Sequence, residues 1–227
     1  MTVFGTLFRL HRFILIVFWA IMLVVEMVGL VVINQAVGAP KFSFWLVMAG
    51  SAIKYWPLVA GILVISLHLK VFVANGVTRT AFLGGLALFG TALTALFAVL
   101  AVAGHALESL LLGLFDQRGS TYPVFSLAGA PAEFGHLLPG AMAYMVTGML
   151  VTAGFYRWNP WAGVPLILPG AIPLAVAENL VRFDEFGETA HRLPYGPALA
   201  VTLAVIIAGF LAVYAVMRDT PIRRTSG

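Results

Sequence analysis

The chain has 227 residues, of which 61% are hydrophobic and only 10% charged, with a formal net charge of +4 and no cysteine. So few charges exclude an ordinary water-soluble domain, in which roughly 25% of residues are charged. The missing cysteines exclude a disulfide framework or a thiolate metal site, and the basic residues are scattered at the ends of apolar runs, a pattern that suits anionic lipid headgroups and not nucleic acid.

A hydrocarbon core about 30 Å thick needs about 20 helical residues to cross it. Six stretches reach or approach that length: Phe13 to Ile33, Ser43 to Leu67, Ala81 to His105, His136 to Phe155, Pro160 to Ala177 and Tyr195 to Met217. The expected fold is all-α, a single polytopic domain over residues 1–227 with six transmembrane helices. The first run exceeds the roughly 7–15 residues of a secretory signal core and contains Glu26, so it is read as a permanent span.

The second run carries Lys54. Glu26 lies 13 residues from Phe13 and Lys54 lies 13 residues from Leu67, which puts both about 20 Å from the inner ends of their spans. Consecutive spans joined by a short loop pack as antiparallel neighbours, and an unpaired ion at that depth is costly. A Glu26–Lys54 ion pair is expected. The competing reading makes Lys54, with Tyr55 and Trp56, an interfacial anchor of a span that starts near Pro57.

The run His68 to Thr80 forms an inner turn. Ala81 and Gly85 at the start of the third span, and Gly140, Gly148 and Thr152 in the fourth, permit close helix approach; Met142, Met145 and Met149 share one face of the fourth as gap fillers. Residues 106–135 and 178–194 are outer segments. His105 and Glu108, three apart, share a helix face on which Glu133, His136 and His191 would have to converge to complete a metal site. Glu178, Arg182 and His191 faintly suggest a protease set, but its paired glutamates are absent. In the fifth span Pro165, Pro169 and Pro173 recur at intervals of four and, with Pro160, interrupt the helix, making the segment a possible hinge.

Lysine and arginine of short loops stay on the cytoplasmic side. With the N-terminus inside, Arg9, Arg12, Lys70, Arg79, Arg157, Arg218, Arg223 and Arg224 are inside, against Lys41, Arg118, Arg182 and Arg192 outside. Both termini are therefore expected to be cytoplasmic.

The run Asn75-Gly-Val-Thr-Arg79, followed by Phe82 and Gly84, combines a turn signal with a helix cap at Thr78. It resembles the corresponding turn in small bacterial permeases of the type-two ABC exporter class. The resemblance implies an interfacial connecting helix over residues 1–12, where Phe4, Leu7, Phe8 and Leu10 mix with Arg9, His11 and Arg12. It also implies a cytoplasmic coupling segment over 68–80, in which His68, Lys70, Phe72, Asn75, Gly76, Thr78 and Arg79 meet the partner. It further implies a separately encoded ATP-binding cassette subunit, a second permease copy or related permease, and a bacterial cytoplasmic membrane. Neither cofactor nor catalytic site is expected in this chain: none of Lys41, Lys54 and Lys70 follows a glycine, so a phosphate-binding loop is excluded, and ATP and magnesium belong to the partner. The implied function is export of a hydrophobic or amphipathic substrate. A noncatalytic scaffold subunit of a larger membrane complex and, third, an intramembrane metal-dependent enzyme are the alternatives.

Overall fold

The computed structural model describes residues 2–36, 38–158, 160–190 and 192–220. In chain order the elements are α1 (Val3–Ala36), α2 (Phe44–Leu63), a π-turn (Val64–His68), α3 (Leu69–Ala74), α4 (Arg79–Leu114), α5 (Ala130–Arg157), α6 (Pro160–Gly163), a 3-10 turn (Val164–Leu166), α7 (Ile167–Gly170), α8 (Ile172–Leu180) and α9 (Tyr195–Met217). Among the described residues the only extended pairing is an isolated bridge between Phe183 and Thr189. Five of these helices are long and apolar enough to cross a membrane, the α2–α3 run Phe44–Ala74 counting as one. The chain is a multi-pass helical membrane protein.

The distribution of burial shows which solvent the surface meets. In α1 only 17% of the most apolar stretch is buried inside the protein, and in α9 22%, against 72% in α5. The greasiest helices thus point outward, the reverse of a water-soluble bundle, because lipid tails accept apolar side chains as readily as the interior does. The central helix α5 relies instead on small and hydroxyl residues. A Cβ on Gly148 would run into the Leu58 carbonyl oxygen, and one on Gly61 into that of Met145, so α2 and α5 touch backbone to backbone. Gly140, by contrast, has open space around it.

On the other side of α2, an aromatic cluster of Phe18, Trp19, Trp45, Trp56 and Phe97 fastens α1 to α2 and α4, with Trp19 and Phe97 ring centroids 5.0 Å apart. The Trp45 indole donates to the Ala101 carbonyl at 2.8 Å and lies on Gly104, where no side chain fits.

Several expected boundaries move. Among the described residues the expected connecting helix is not separate: Val3 to Arg12 are the first turns of an unbroken α1, since neither proline nor glycine interrupts the junction at Arg12 and Phe13. The two segments expected to be outer shrink, among the described residues, to loops at 115–129, 181–190 and 192–194, because α4 runs on to Leu114, α5 begins at Ala130 and α8 holds Glu178. The expected fifth span is not one helix. Prolines cannot donate to the preceding turn, and the segment breaks into α6, the 3-10 turn, α7 and α8. These pieces nevertheless follow α5 from end to end, Leu166 beside Gly154, Gly170 beside Val151, and Glu178 bonded to Tyr144.

Both described ends of the chain lie at one end of the bundle. Val3 packs on Gly85 near the start of α4, and Arg79 donates to the Arg218 carbonyl at 3.3 Å. Arg157 donates to the Val216 carbonyl at 2.8 Å. Two arginines thus cover the last carbonyls of α9, where the helix dipole favours positive charge.

Candidate functional site

At that basic end, α2 and α4 form a hairpin whose tip is built by local bonds. Asn75 ends α3, Gly76 takes φ +82°, and the bonds from Gly76 N to Val73 O (3.0 Å) and from Val77 N to Phe72 O (3.0 Å) complete a Schellman cap. Asn75 Nδ2 donates to the Val71 carbonyl at 2.7 Å. Thr78 starts α4, its Oγ1 accepting from Ala81 N at 3.2 Å, the role its position in the sequence suggests.

The inner turn expected over His68 to Thr80 is shorter than that: His68 to Ala74 finish the π-turn and form α3, prolonging α2, and only Asn75 to Thr78 turn. The cause is the π-turn, which widens the helix without stopping it. The Ile62 carbonyl beneath it accepts the hydroxyls of Ser66 (2.9 Å) and Thr152 (3.5 Å). Asn75, Gly76 and Thr78 are exposed and Lys70 and Arg79 half-buried, whereas Phe72 packs on Phe82 and the His68 ring lies 5.8 Å from that of His11.

The far end is polar. Glu108 accepts from Phe44 N (2.8 Å), from Trp45 N (3.4 Å) and from the Ser43 hydroxyl, closing the start of α2; Ser43 Oγ in turn caps Leu46 N at 3.0 Å. His105 Nδ1 lies 3.0 Å from Glu133 Oε2 and its Nε2 2.9 Å from the Pro123 carbonyl. The imidazole thus bridges α5 and the loop that precedes it. Burial, followed by the nearby Glu108 carboxylate, pushes the Tyr122 phenol above its ordinary value, keeping it a neutral O–H. The loops are stitched together by Ser43 N to Glu185 O (3.0 Å), Gly119 N to Pro40 O (2.9 Å) and Thr121 Oγ1 to Lys41 O (3.2 Å).

The expected Glu26–Lys54 pair is not formed. Lys54 Nζ instead lies 2.8 Å from Glu178 Oε1, and Tyr144 OH donates to the same carboxylate at 3.0 Å. Two residues along a helix point about 200° apart; Trp56 faces α1, against His11 and Phe18, so Lys54 faces α5 and α8. Depth separates them too: Gly29, one turn from Glu26, abuts Phe44, ten residues or about 15 Å from Lys54. The pairing with Glu178 escaped the sequence because that residue reads as loop, whereas α8 carries it. The Lys54–Glu178 pair holds the broken segment to α2.

Comparisons of the chain with family models, curated proteins and solved structures give no match.

The dispersed polar side chains do not build a metal centre. Glu108 is occupied at α2, and His136 Nδ1 faces the Val181 carbonyl at 3.2 Å. Among the described residues no three metal-ligating side chains converge. His191, on which the metal and protease readings partly rest, lies outside the described residues, as do Arg223 and Arg224.

Two apolar cavities flank α5. One, of about 220 Å³, lies between α4, α5 and α9 and is lined by Thr91, Thr94, Met142, Met145, Met149 and Phe210. The other, of about 420 Å³, lies between α5, the broken segment and α9; Pro169 and Pro173 line it with Trp158 and Gly209. Pro169 and Pro173 therefore border open space, which suits interrupted backbone at membrane depth, while Pro165 sits in the 3-10 turn.

Proposed function

We propose that the chain is the membrane subunit of an ATP-driven exporter of hydrophobic or amphipathic substrates. Its α2–α4 hairpin is the handle on which a separately encoded ATP-binding subunit pushes. The observation that carries this reading is the hairpin itself: an exposed tip, made rigid by a Schellman cap and a threonine cap, on two helices that run unbroken into the protein. A rigid projection transmits displacement, whereas a flexible loop absorbs it. The π-turn at its base supplies a place where α2 can shift register at small cost.

In this reading the basic end faces the cytoplasm of a bacterial cell, the broken segment makes the sixth crossing, and both termini are inside. The cavities beside α5, one bordered by methionines and the other by prolines, suit an apolar cargo. ATP and magnesium sit on the partner, and a second permease copy completes the pathway. Differential contact of the partner with two states of the hairpin drives the change.

The test is copurification from native membranes, followed by ATP hydrolysis in reconstituted vesicles. An ATP-binding cassette subunit is expected in the complex, and Asn75→Ala with Gly76→Ala is expected to leave the chain inserted but uncouple hydrolysis from transport. Recovery with only an enzyme or respiratory assembly would replace this reading with that of a scaffold, and labelling of Asn75 from the outside would end it.

A further inference from the structure

Glu26 is the one glutamate of α1, only 5% exposed, and neither of its carboxyl oxygens meets a hydrogen-bond donor. Desolvating an ionised carboxylate with nothing bonded to it is among the most costly things a fold can do. Its surroundings make the problem sharper. Gly29, a turn further along α1, abuts the ring of Phe44, whose backbone N–H bonds Glu108, and the two carboxyl groups interact directly. Two carboxylates in contact repel and have no proton to share unless one is supplied.

The two glutamates are not equivalent. Glu108 receives Ser43 Oγ–H, Phe44 N–H and Trp45 N–H, the donor set that stabilises a carboxylate anion. Glu26 receives nothing, so a proton placed on it removes its charge and turns it into a donor towards Glu108. Tyr122, a buried residue of the loop before α5, also turns its hydroxyl towards this place. It is a third polar group from a third segment.

We propose that Glu26 and Glu108 form a proton-binding site at the outer end of the bundle, one proton held between two carboxylates so that α1 docks on α2 and α4. The charged and titratable groups around it are Tyr122 in the outer loop and, beyond Glu108 on α4, His105 with its partner Glu133 on α5. Without that proton two adjacent anions would push α1 away from α4. The site does not depend on what the chain exports, and its failure would leave the hairpin reading untouched.

The experiment is infrared spectroscopy of the whole chain in lipid nanodiscs at pH 5 to 9, in light and heavy water, with thermal unfolding followed in parallel. The wild type is expected to show the carbonyl band of a protonated, buried acid at pH 7, downshifted in heavy water and lost in Glu26→Gln. Glutamine keeps the shape and the donor of the neutral acid, so this variant is expected to unfold within about 2 °C of the wild type at pH 6. Absence of the band, its persistence in Glu26→Gln, or failure of Glu26→Gln to fold would each overturn the site. So would a melting temperature that rises with sodium but not with choline at constant ionic strength, which would assign the place to a metal cation instead.

Discussion

The two ends of the bundle are held by different forces. At the acidic end, loops from three parts of the chain are joined by hydrogen bonds into the helices: Glu108 closes α2, His105 bridges Glu133 and the Pro123 carbonyl, and Glu185 accepts from Ser43. At the basic end the α2–α4 hairpin is capped within itself, Phe72 packs on Phe82 inside it, and Val3 of α1 rests on Gly85. Buried polar networks fix one geometry because every unmade bond is costly, while apolar contacts slide more readily. Buried polar bonds hold one end; local caps and apolar contacts dominate at the other.

Removing the keystone of the fixed end should have the largest effect. Glu108→Ala leaves Ser43, Phe44 and Trp45 without their acceptor and is expected to cost about 3 kcal/mol or more, read as the loss of melting temperature in nanodiscs; a loss below about 1 kcal/mol would erase the contrast between the ends. Gly148→Val, between them, forces α2 from α5 at the Leu58 carbonyl and is expected to cost about 2 kcal/mol.

The Lys54–Glu178 pair gives a sharper test of smaller size. Both side chains are about a third exposed, 31% and 29%, so a double-mutant cycle of Lys54→Ala and Glu178→Ala should return a coupling of about 1 kcal/mol. The cycle of Lys54→Ala with Glu26→Gln should be additive, and coupling there would restore the pairing that the structure replaces. At the basic end the effects should be smallest on stability. Thr78→Ala is expected to cost about 0.5–1 kcal/mol through the lost cap, and under the proposed function its larger consequence is a loss of coupling between ATP hydrolysis and transport.

Much of this was legible without coordinates. Twenty-residue apolar runs announce membrane helices because hydrocarbon offers no partner to a bare backbone. Asn75, Gly76 and Thr78 announce their turn because left-handed backbone and caps are local demands. The prolines announced a break for the same reason. Residue-to-residue pairing was the part that failed. Lys54 was matched to the nearest opposite charge in sequence, yet its direction around α2 is set by where Trp56 packs, and that is a property of α1 and α4.

The sequence by itself determined the solvent, the existence of the long helices and the capped turn at Asn75 to Thr78, since each rests on side chains within a turn or two of one another. Only the tertiary structure decided that Glu178 meets Lys54, that Glu26 is left facing Glu108, and that the interrupted segment stays beside α5. Those outcomes depend on helix rotation and relative depth, which are fixed by the packing of all helices at once and leave no mark at any single position of the chain.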